Sequence, residues 1–312
     1  MQVEEELAQV KPEKEMLLTI GVFDGVHRGH KYLISQLVAR ARREGLLSGV
    51  ITFRQHPAEV LSPQTQLPFL TSLAQRTELL KKEGAQEVIL LSFTPELARL
   101  SAPEFVTLLK KYLRMRGLVI GPDFALGRNR EGDADTLSRL GQELGFTVTV
   151  VPPLTFNNEV VSSTAIRNAL ARGEMERVQN LLGHPFSLQG KVVTGAGRGA
   201  SLGFPTANLD IDQKQALPAD GVYATWAYID AQAYHSMTNI GTNPTFGENR
   251  RTVEVFLINY HNDLYGQELR IDIAQRLRDE KRFNTVEELK RQIAEDVKQG
   301  IAILNSQGRN QP

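Results

Sequence analysis

Apolar residues in the first half of the chain come in short runs, separated by stretches in which they recur every three or four positions. The runs at 17–22, 49–53, 87–93, 117–121 and 146–151 are of strand length, and compact apolar runs bounded by polar segments predict strands buried on both faces. Between the first two, Leu33, Ile34, Leu37, Val38 and Ala41 form one stripe of a helix over 30–43, and Gly45 stands just past its end, as a C-cap does. Ser101 before Ala102-Pro103 opens another helix with N-cap and early-proline chemistry. Strands alternating with helices predict a parallel sheet with right-handed crossovers and a ligand crevice beyond the carboxyl ends of the strands.

After Gly183-His184-Pro185 the period changes. Runs at 186–194, 221–230, 233–240, 252–260 and 268–277 follow one another without helices, which predicts an antiparallel barrel. A closing helix is signalled by Thr285 as N-cap, Glu288 three residues on, and Val286, Leu289, Ile293, Val297 and Ile301 at helical spacing. It is expected to pack on the barrel, and the tail 307–312 to be disordered. The expected architecture is an α/β Rossmann-like domain over 1–183, then an antiparallel β-barrel with a C-terminal helix over 184–312.

Composition narrows the function. With 312 residues, 41% of them hydrophobic, the chain can bury two cores. Lysine plus arginine equals aspartate plus glutamate at 36 each, so no field of one sign favours nucleic acid or an anionic membrane, and a phosphate ligand must be held by local geometry. The absence of cysteine removes disulfides, thiolate zinc sites and cysteine nucleophiles, and suits a reducing compartment. No apolar run approaches the roughly 18 residues of a membrane span, and residues 1–15 carry five glutamates, unlike a signal peptide. A cytoplasmic enzyme is expected, as a monomer or weak homo-oligomer.

The richest segment follows the first strand: Gly21-Val22-Phe23-Asp24-Gly25-Val26-His27-Arg28-Gly29-His30, running into a helix. Gly21, Gly25 and Gly29 permit tight turns and close approaches, and a helix start presents free amides and a positive dipole end to an anion. His27 and His30, three apart, lie on one side of the first turn and can donate to phosphoryl oxygens. Metal ligation or simple packing of the pair is the alternative. Later, Ser162-Ser163-Thr164 precedes Arg167 by one helical turn: the hydroxyls can be plain caps, or, with the guanidinium, clamp a polyphosphate. Near strand ends, His56 in Thr52-Phe53-Arg54-Gln55-His56-Pro57 and Asp123 in Ile120-Gly121-Pro122-Asp123 are equally readable as site residues or as scaffold.

In this order these segments resemble the nucleotidyltransferase domain of the bacterial bifunctional riboflavin kinase/FAD synthetases. Gly-x-Phe-Asp-Gly-x-His-x-Gly-His with Thr-Phe-x-x-His-Pro looks like the flavin branch of that superfamily. The resemblance implies AMP transfer from ATP to FMN. His27 and His30 would contact ATP phosphates with Gly21, Phe23 and Gly29 shaping the loop, Ser163, Thr164 and Arg167 would hold the polyphosphate, and His56 and Asp123 would lie in the nucleotide or flavin pocket. Asp24 reads as a brace for the loop.

In the second half, the stretch from Gly195 to Asn208 is dense in glycine, with Gly197, Arg198 and Gly203 inside it, and lacks the ending of a P-loop. It can be a flexible hairpin, or its amides can wrap a nucleotide. Thr206 and Asn208, two apart on a strand, face one side and offer hard oxygen ligands suited to magnesium. Glu254 alternates with Val253 and Val255. It can be an exposed barrel glutamate or the base that accepts a hydroxyl proton. With Asn239-Ile240-Gly241-Thr242-Asn243-Pro244-Thr245-Phe246 and the segment 276–280, these residues look like the riboflavin kinase domain of the same family. That likeness implies that Thr206 and Asn208 bind Mg2+ and ATP, that Glu254 deprotonates riboflavin, and that Arg278 lies in the flavin or nucleotide pocket. The substrates and products would be riboflavin, FMN, FAD and ATP. Leu126 and Phe256 stand where the family pattern has an aromatic residue and a histidine. Another nucleotidyltransferase with an unrelated barrel, or a flavin-binding module without turnover, are the competing readings.

Overall fold

The computed structural model describes the chain except for residues 63, 65, 66, 196, 198, 200, 201, 231, 243–250 and 307–312. The expected disorder of the tail falls outside the described residues. The chain forms two compact units, Met1–Ser163 and Thr164–Pro312.

The first unit is a parallel sheet of five strands, β1 (Met16–Ile20), β2 (Leu47–Phe53), β3 (Glu87–Leu91), β4 (Met115–Ile120) and β5 (Thr147–Val150), in the order β3-β2-β1-β4-β5. All four neighbouring pairs are parallel. Each apolar run produced a strand, but only the three inner ones, β1, β2 and β4, are buried nearly throughout, as strands covered on both faces must be. The edge strand β3 is half-buried and the edge strand β5 is largely exposed, with Val150 44% exposed, against the expected burial on both faces. The order reverses direction between β1 and β4, and loops at such a switch point diverge to leave a crevice. The long stripe becomes α2 (Arg28–Glu44), two residues earlier than its periodicity suggests, with Gly45 at φ 70° as its C-cap. Helix α6 (Ala102–Leu113) starts with a capping box between Ser101 and Glu104. The acidic start of the chain hides a short helix, α1 (Gln2–Ala8), that buries Val3 and Leu7 in the core. The Glu6 carboxylate accepts from the Ser92 amide at 2.8 Å and hydroxyl at 2.7 Å. Three further short helices lie in this unit, α3 (Pro57–Leu61), α4 (Leu73–Lys82) and α5 (Pro95–Arg99), as does α7 (Ala134–Leu144). A hairpin of β6 (Thr155–Phe156) and β7 (Glu159–Val160) precedes the second unit.

The second unit opens with α8 (Ser163–Ala171) and α9 (Met175–Leu182), so both helices group with the barrel rather than with the sheet. The Gln179 amide of α9 donates to the carbonyls of Ile273 and Ala274 at 2.9 and 2.7 Å. A closed barrel follows, of β8 (Phe186–Val193), β9 (Ala207–Asp210), β10 (Gly221–Ile229), β11 (Gln232–Thr242), β12 (Arg251–Leu257) and β13 (Glu268–Arg278), in the order β10-β11-β12-β9-β8-β13. Strand alternation divides each strand between two faces. Val253, Val255 and Leu257 point inward with Leu209, and a hydroxyl cluster of Thr225, Ser236 and Thr238 satisfies itself inside at 2.7–2.8 Å.

The last helix, α10 (Val286–Ser306), begins with the expected reciprocal bonds between Thr285 and Glu288 and between Glu288 and Asn284. Its Val297, Ile303 and Leu304 pack on Trp226 and Met237 of the barrel wall. The predicted apolar stripe is only partly used for this, since Val286 is 50% exposed.

Candidate active sites

In the first unit the segment after β1 turns sharply at the carboxyl end of the sheet. Phe23 (φ 52°), Gly25 (φ 81°) and Val26 (φ 38°) all occupy the left-handed region, costly for the two side-chain-bearing residues and maintained by surrounding bonds. His27 then caps α2, its Nδ1 accepting from the His30 amide at 3.2 Å. A neutral His27 that accepts at Nδ1 carries its proton at Nε2, which is the atom able to donate to an anion. The His27 and His30 rings stack at 3.6 Å with planes 16° apart, and the edge of Phe23 meets His30 at 5.1 Å. A Cβ on Gly29 would sit 3.2 Å from the His27 ring and 3.3 Å from the Val161 carbonyl, so the motif glycine makes room for the stack. Gly21 likewise lies under Phe23.

Burial first, then the neighbouring His27 and Arg76, push the His30 imidazole well below its ordinary range. His30 is therefore neutral at neutral pH. Its Nδ1 is buried with no partner among the described residues. Stacked rings do not converge their nitrogens on one ion, and among the described residues no group of three or more histidine, cysteine, aspartate or glutamate side chains could hold a metal.

Asp24 is 2% exposed and binds the amides of Leu70 and Thr71 at 2.9 and 3.1 Å. It braces the loop. The Ser163 hydroxyl donates to the Asp24 carbonyl at 2.9 Å, while Thr164 and Arg167 follow on α8. His56 caps α3, its Nδ1 accepting from the Ala58 amide at 3.1 Å, and Asp123 is an exposed turn residue whose carbonyl accepts from Arg130 at 2.8 Å. His56 thus has a capping role, whereas the Asp123 bond engages only its backbone. Leu126 is sunk in the core. Sequence reasoning missed Arg76, 1% exposed, which donates to the carbonyls of Val22 at 2.8 Å and Phe53 at 2.6 Å.

In the second unit a cavity of about 670 Å³ lies on the outer wall of the barrel, between it and α10. Glu254 faces it from β12, directly opposite Asn208 on β9 and Asn239 on β11. Pairing register thus sets three oxygen-bearing side chains in a row across three strands. Thr206 and Phe256 line the same cavity, with Phe256 edge-on to Phe204 at 5.4 Å. The glycine-rich segment closes one side: Gly197 lines the cavity, Gly197 and Gly203 take positive φ, and a Cβ on Gly195 would overlap the Asn208 carboxamide. Arg198 and the stretch 243–250 lie outside the described residues. Arg278 reaches the cavity wall, but its guanidinium is held by Asp296 of α10 in a fork of bonds at 2.8–3.0 Å. Asn239, which the sequence offered as part of a motif but without a role of its own, donates to Glu280 at 3.4 Å.

Comparison with known proteins agrees with this division. The chain matches the family described as FAD synthetase over residues 9–165 and that described as riboflavin kinase over residues 182–304. It is 38% identical to the bifunctional riboflavin kinase/FMN adenylyltransferase of Escherichia coli (strain K12) over 91% of each chain, and 38% identical to that of Pseudomonas fluorescens over 95% and 96% of the two chains. A solved structure described as a macrolide-efflux protein from Streptococcus pneumoniae shares the whole fold, with a TM-score of 0.87, 31% identity and 96% of each chain covered. Efflux belongs to that description alone, and among the described residues of the present chain no helix is long and apolar enough to cross a membrane. The chain belongs to the family of bifunctional riboflavin kinase/FMN adenylyltransferases, enzymes of flavin biosynthesis that use ATP to phosphorylate riboflavin and to adenylylate FMN.

Proposed function

We propose that the barrel half, residues 184–312, makes FMN with Glu254 as the base, and that residues 1–183 make FAD with His27 and His30 on the ATP phosphates. The observation that carries the kinase assignment is the register that sets Glu254 between Asn208 and Asn239 in the wall of one cavity. Glu254 takes the proton of the terminal ribityl hydroxyl, the oxygen attacks the γ-phosphorus of ATP, and the bond to the β-bridging oxygen breaks to release ADP. Thr206 and Asn208 supply neutral oxygen donors beside that carboxylate, a set that fits a hard cation sharing its remaining positions with water and phosphate. Bound there, Mg2+ would neutralise charge on the transferring phosphate. Gly197 and Gly203 shape the nucleotide side, and Arg278 holds the wall of the flavin side through Asp296.

In the first half the FMN phosphate attacks the α-phosphorus of a second ATP, and pyrophosphate leaves. The nucleophile is already anionic, so no base is required. His27 donates from Nε2, His30 gives one neutral N–H, and the α2 amides add their dipole. Ser163, Thr164 and Arg167 hold the departing polyphosphate in this reading, with His56 and Asp123 at the edge of the pocket. We place the enzyme in the cytoplasm, as a monomer or weak homo-oligomer.

The test is incubation with riboflavin, ATP and Mg2+, followed by chromatographic separation of riboflavin, FMN and FAD. The wild type converts riboflavin to FAD through FMN. His30→Ala with Arg167→Ala stops at FMN. FAD formed by that double variant at the wild-type rate would remove the phosphate role from the motif.

A further inference from the structure

The phosphate loop after β1 is not self-supporting, because Phe23 and Val26 sit in left-handed conformations that side-chain-bearing residues avoid. Something outside the loop imposes them, and the contacts converge on one segment. The Asp24 carboxylate accepts from the amides of Leu70 and Thr71, and the Thr71 hydroxyl in turn accepts from the Gly25 amide at 3.1 Å. Six residues further on, in α4, Arg76 donates to the Val22 carbonyl just before Phe23 and to the Phe53 carbonyl at the end of β2. The carbonyl of Val22 also accepts from Thr52 at 2.9 Å. Residues 70–76 therefore grip the loop on both sides of Phe23, whose ring edge rests on His30.

A guanidinium 1% exposed is a costly way to cross-link two carbonyls. Its Nε has no partner among the described residues, and no carboxylate forms an ion pair with it there. Burial lowers its pKa, with Asp24 the opposing charge. The desolvation cost of burying this guanidinium is offset in part by the Asp24 carboxylate and by the two carbonyls that its planar fork satisfies.

We infer that Arg76 is a positioning residue for adenylyl transfer: its two-carbonyl bridge between the loop after β1 and the end of β2 fixes the left-handed turn at Phe23 and so the placement of the His27–His30 stack. The inference rests on the reading of that stack as the phosphate-binding pair. Arg76 touches no substrate. Its effect passes through the loop, where a displacement of about 1 Å of a positioned group can cost on the order of 100-fold in rate.

Lysine keeps the charge but loses the rigid fork that holds the two carbonyls from separate nitrogens, and methionine keeps only the apolar stem. In the full-length protein, Arg76→Lys and Arg76→Met should each lower kcat for FMN adenylylation by about 10- to 100-fold, with FMN formation from riboflavin within twofold of wild type. The second readout is the imidazole proton resonance of His30, assigned by its loss in His30→Ala. The titratable groups acting on this ring are His27, which caps α2, and Arg76 on α4, while the Asp24 carboxylate acts on Arg76. Its protonation midpoint should rise in Arg76→Met, which removes a nearby charge, and rise less in Arg76→Lys. Adenylylation within twofold of wild type in both Arg76 variants, while His30→Ala abolishes it, would overturn the inference and leave the active-site reading intact. Full adenylylation in His30→Ala would instead sink that reading. Equal loss of both activities in the Arg76 variants would assign Arg76 to general folding and also overturn the inference.

Discussion

Arg278→Met is a test of how α10 is held against the barrel. The Arg278 side chain is 14% exposed and the Asp296 side chain 5%, and their bonds at 2.8–3.0 Å tie the end of β13 to the middle of α10 beside the cavity. Methionine replaces the stem but leaves the Asp296 carboxylate buried with the Gln292 amide, at 2.9 Å, as its remaining side-chain hydrogen bond among the described residues. Removing one partner of such a pair costs about 3–5 kcal/mol. The only tryptophan of the chain, Trp226, is 1% exposed on the barrel wall, in the cluster that contains Leu304 of α10. Its fluorescence in a urea titration therefore reports on the second unit alone. With a slope of roughly 2 kcal/mol/M, the midpoint should fall by about 2 M. Adding Asp296→Leu should restore much of the loss, because replacing both charges by apolar groups of similar volume removes the buried carboxylate that the single variant strands. A fall under about 1 kcal/mol in Arg278→Met would show that the ion pair does not hold the helix.

Two further outcomes follow from the same geometry. Gly195→Ala should suppress FMN formation while sparing FAD formation from supplied FMN, because the new methyl overlaps the Asn208 carboxamide; unchanged kinase activity would remove Asn208 from the site. Burial lowers the pKa of both His30 and His235, so unfolded imidazoles protonate below about 6.5 while the native ones resist. Stability is then full above pH 6.5 and falls as the pH drops toward the native values, and melting curves from pH 7.5 to 5.5 should show it. His235→Asn should flatten that trend in the Trp226 signal, and an unaltered slope would exclude His235 as its source.

The five strands of the sheet and the barrel were legible because alternation and apolar runs are local consequences of which faces are covered, although the edge strand β5 is largely exposed. The His27 and His30 spacing was legible because a helix start after a strand fixes the geometry within one turn. Arg76 was not. In Leu73-Ala74-Gln75-Arg76-Thr77 a single arginine on a short polar helix has the pattern of a solvated face, and only tertiary packing brings the carbonyls of Val22 and Phe53 to it. The role of Asn239 was hidden for a similar reason, since its place beside Glu254 is set by strand register. His56 and Asp123 remained ambiguous in sequence because a cap, a turn former and a ligand use the same polar atoms.

The central claim is that one chain carries two separate chemistries, and Glu254→Gln tests it most directly. The substitution keeps shape and most hydrogen bonding but cannot take a proton at neutral pH. Riboflavin phosphorylation should fall by about 100- to 10,000-fold, toward the lower end because a loose phosphoryl transition state asks less of a base. Supplied FMN should still become FAD at the wild-type rate. Riboflavin phosphorylated at the wild-type rate would return Glu254 to the barrel wall as an ordinary side chain, and equal losses in both steps would contradict the separation of the two sites.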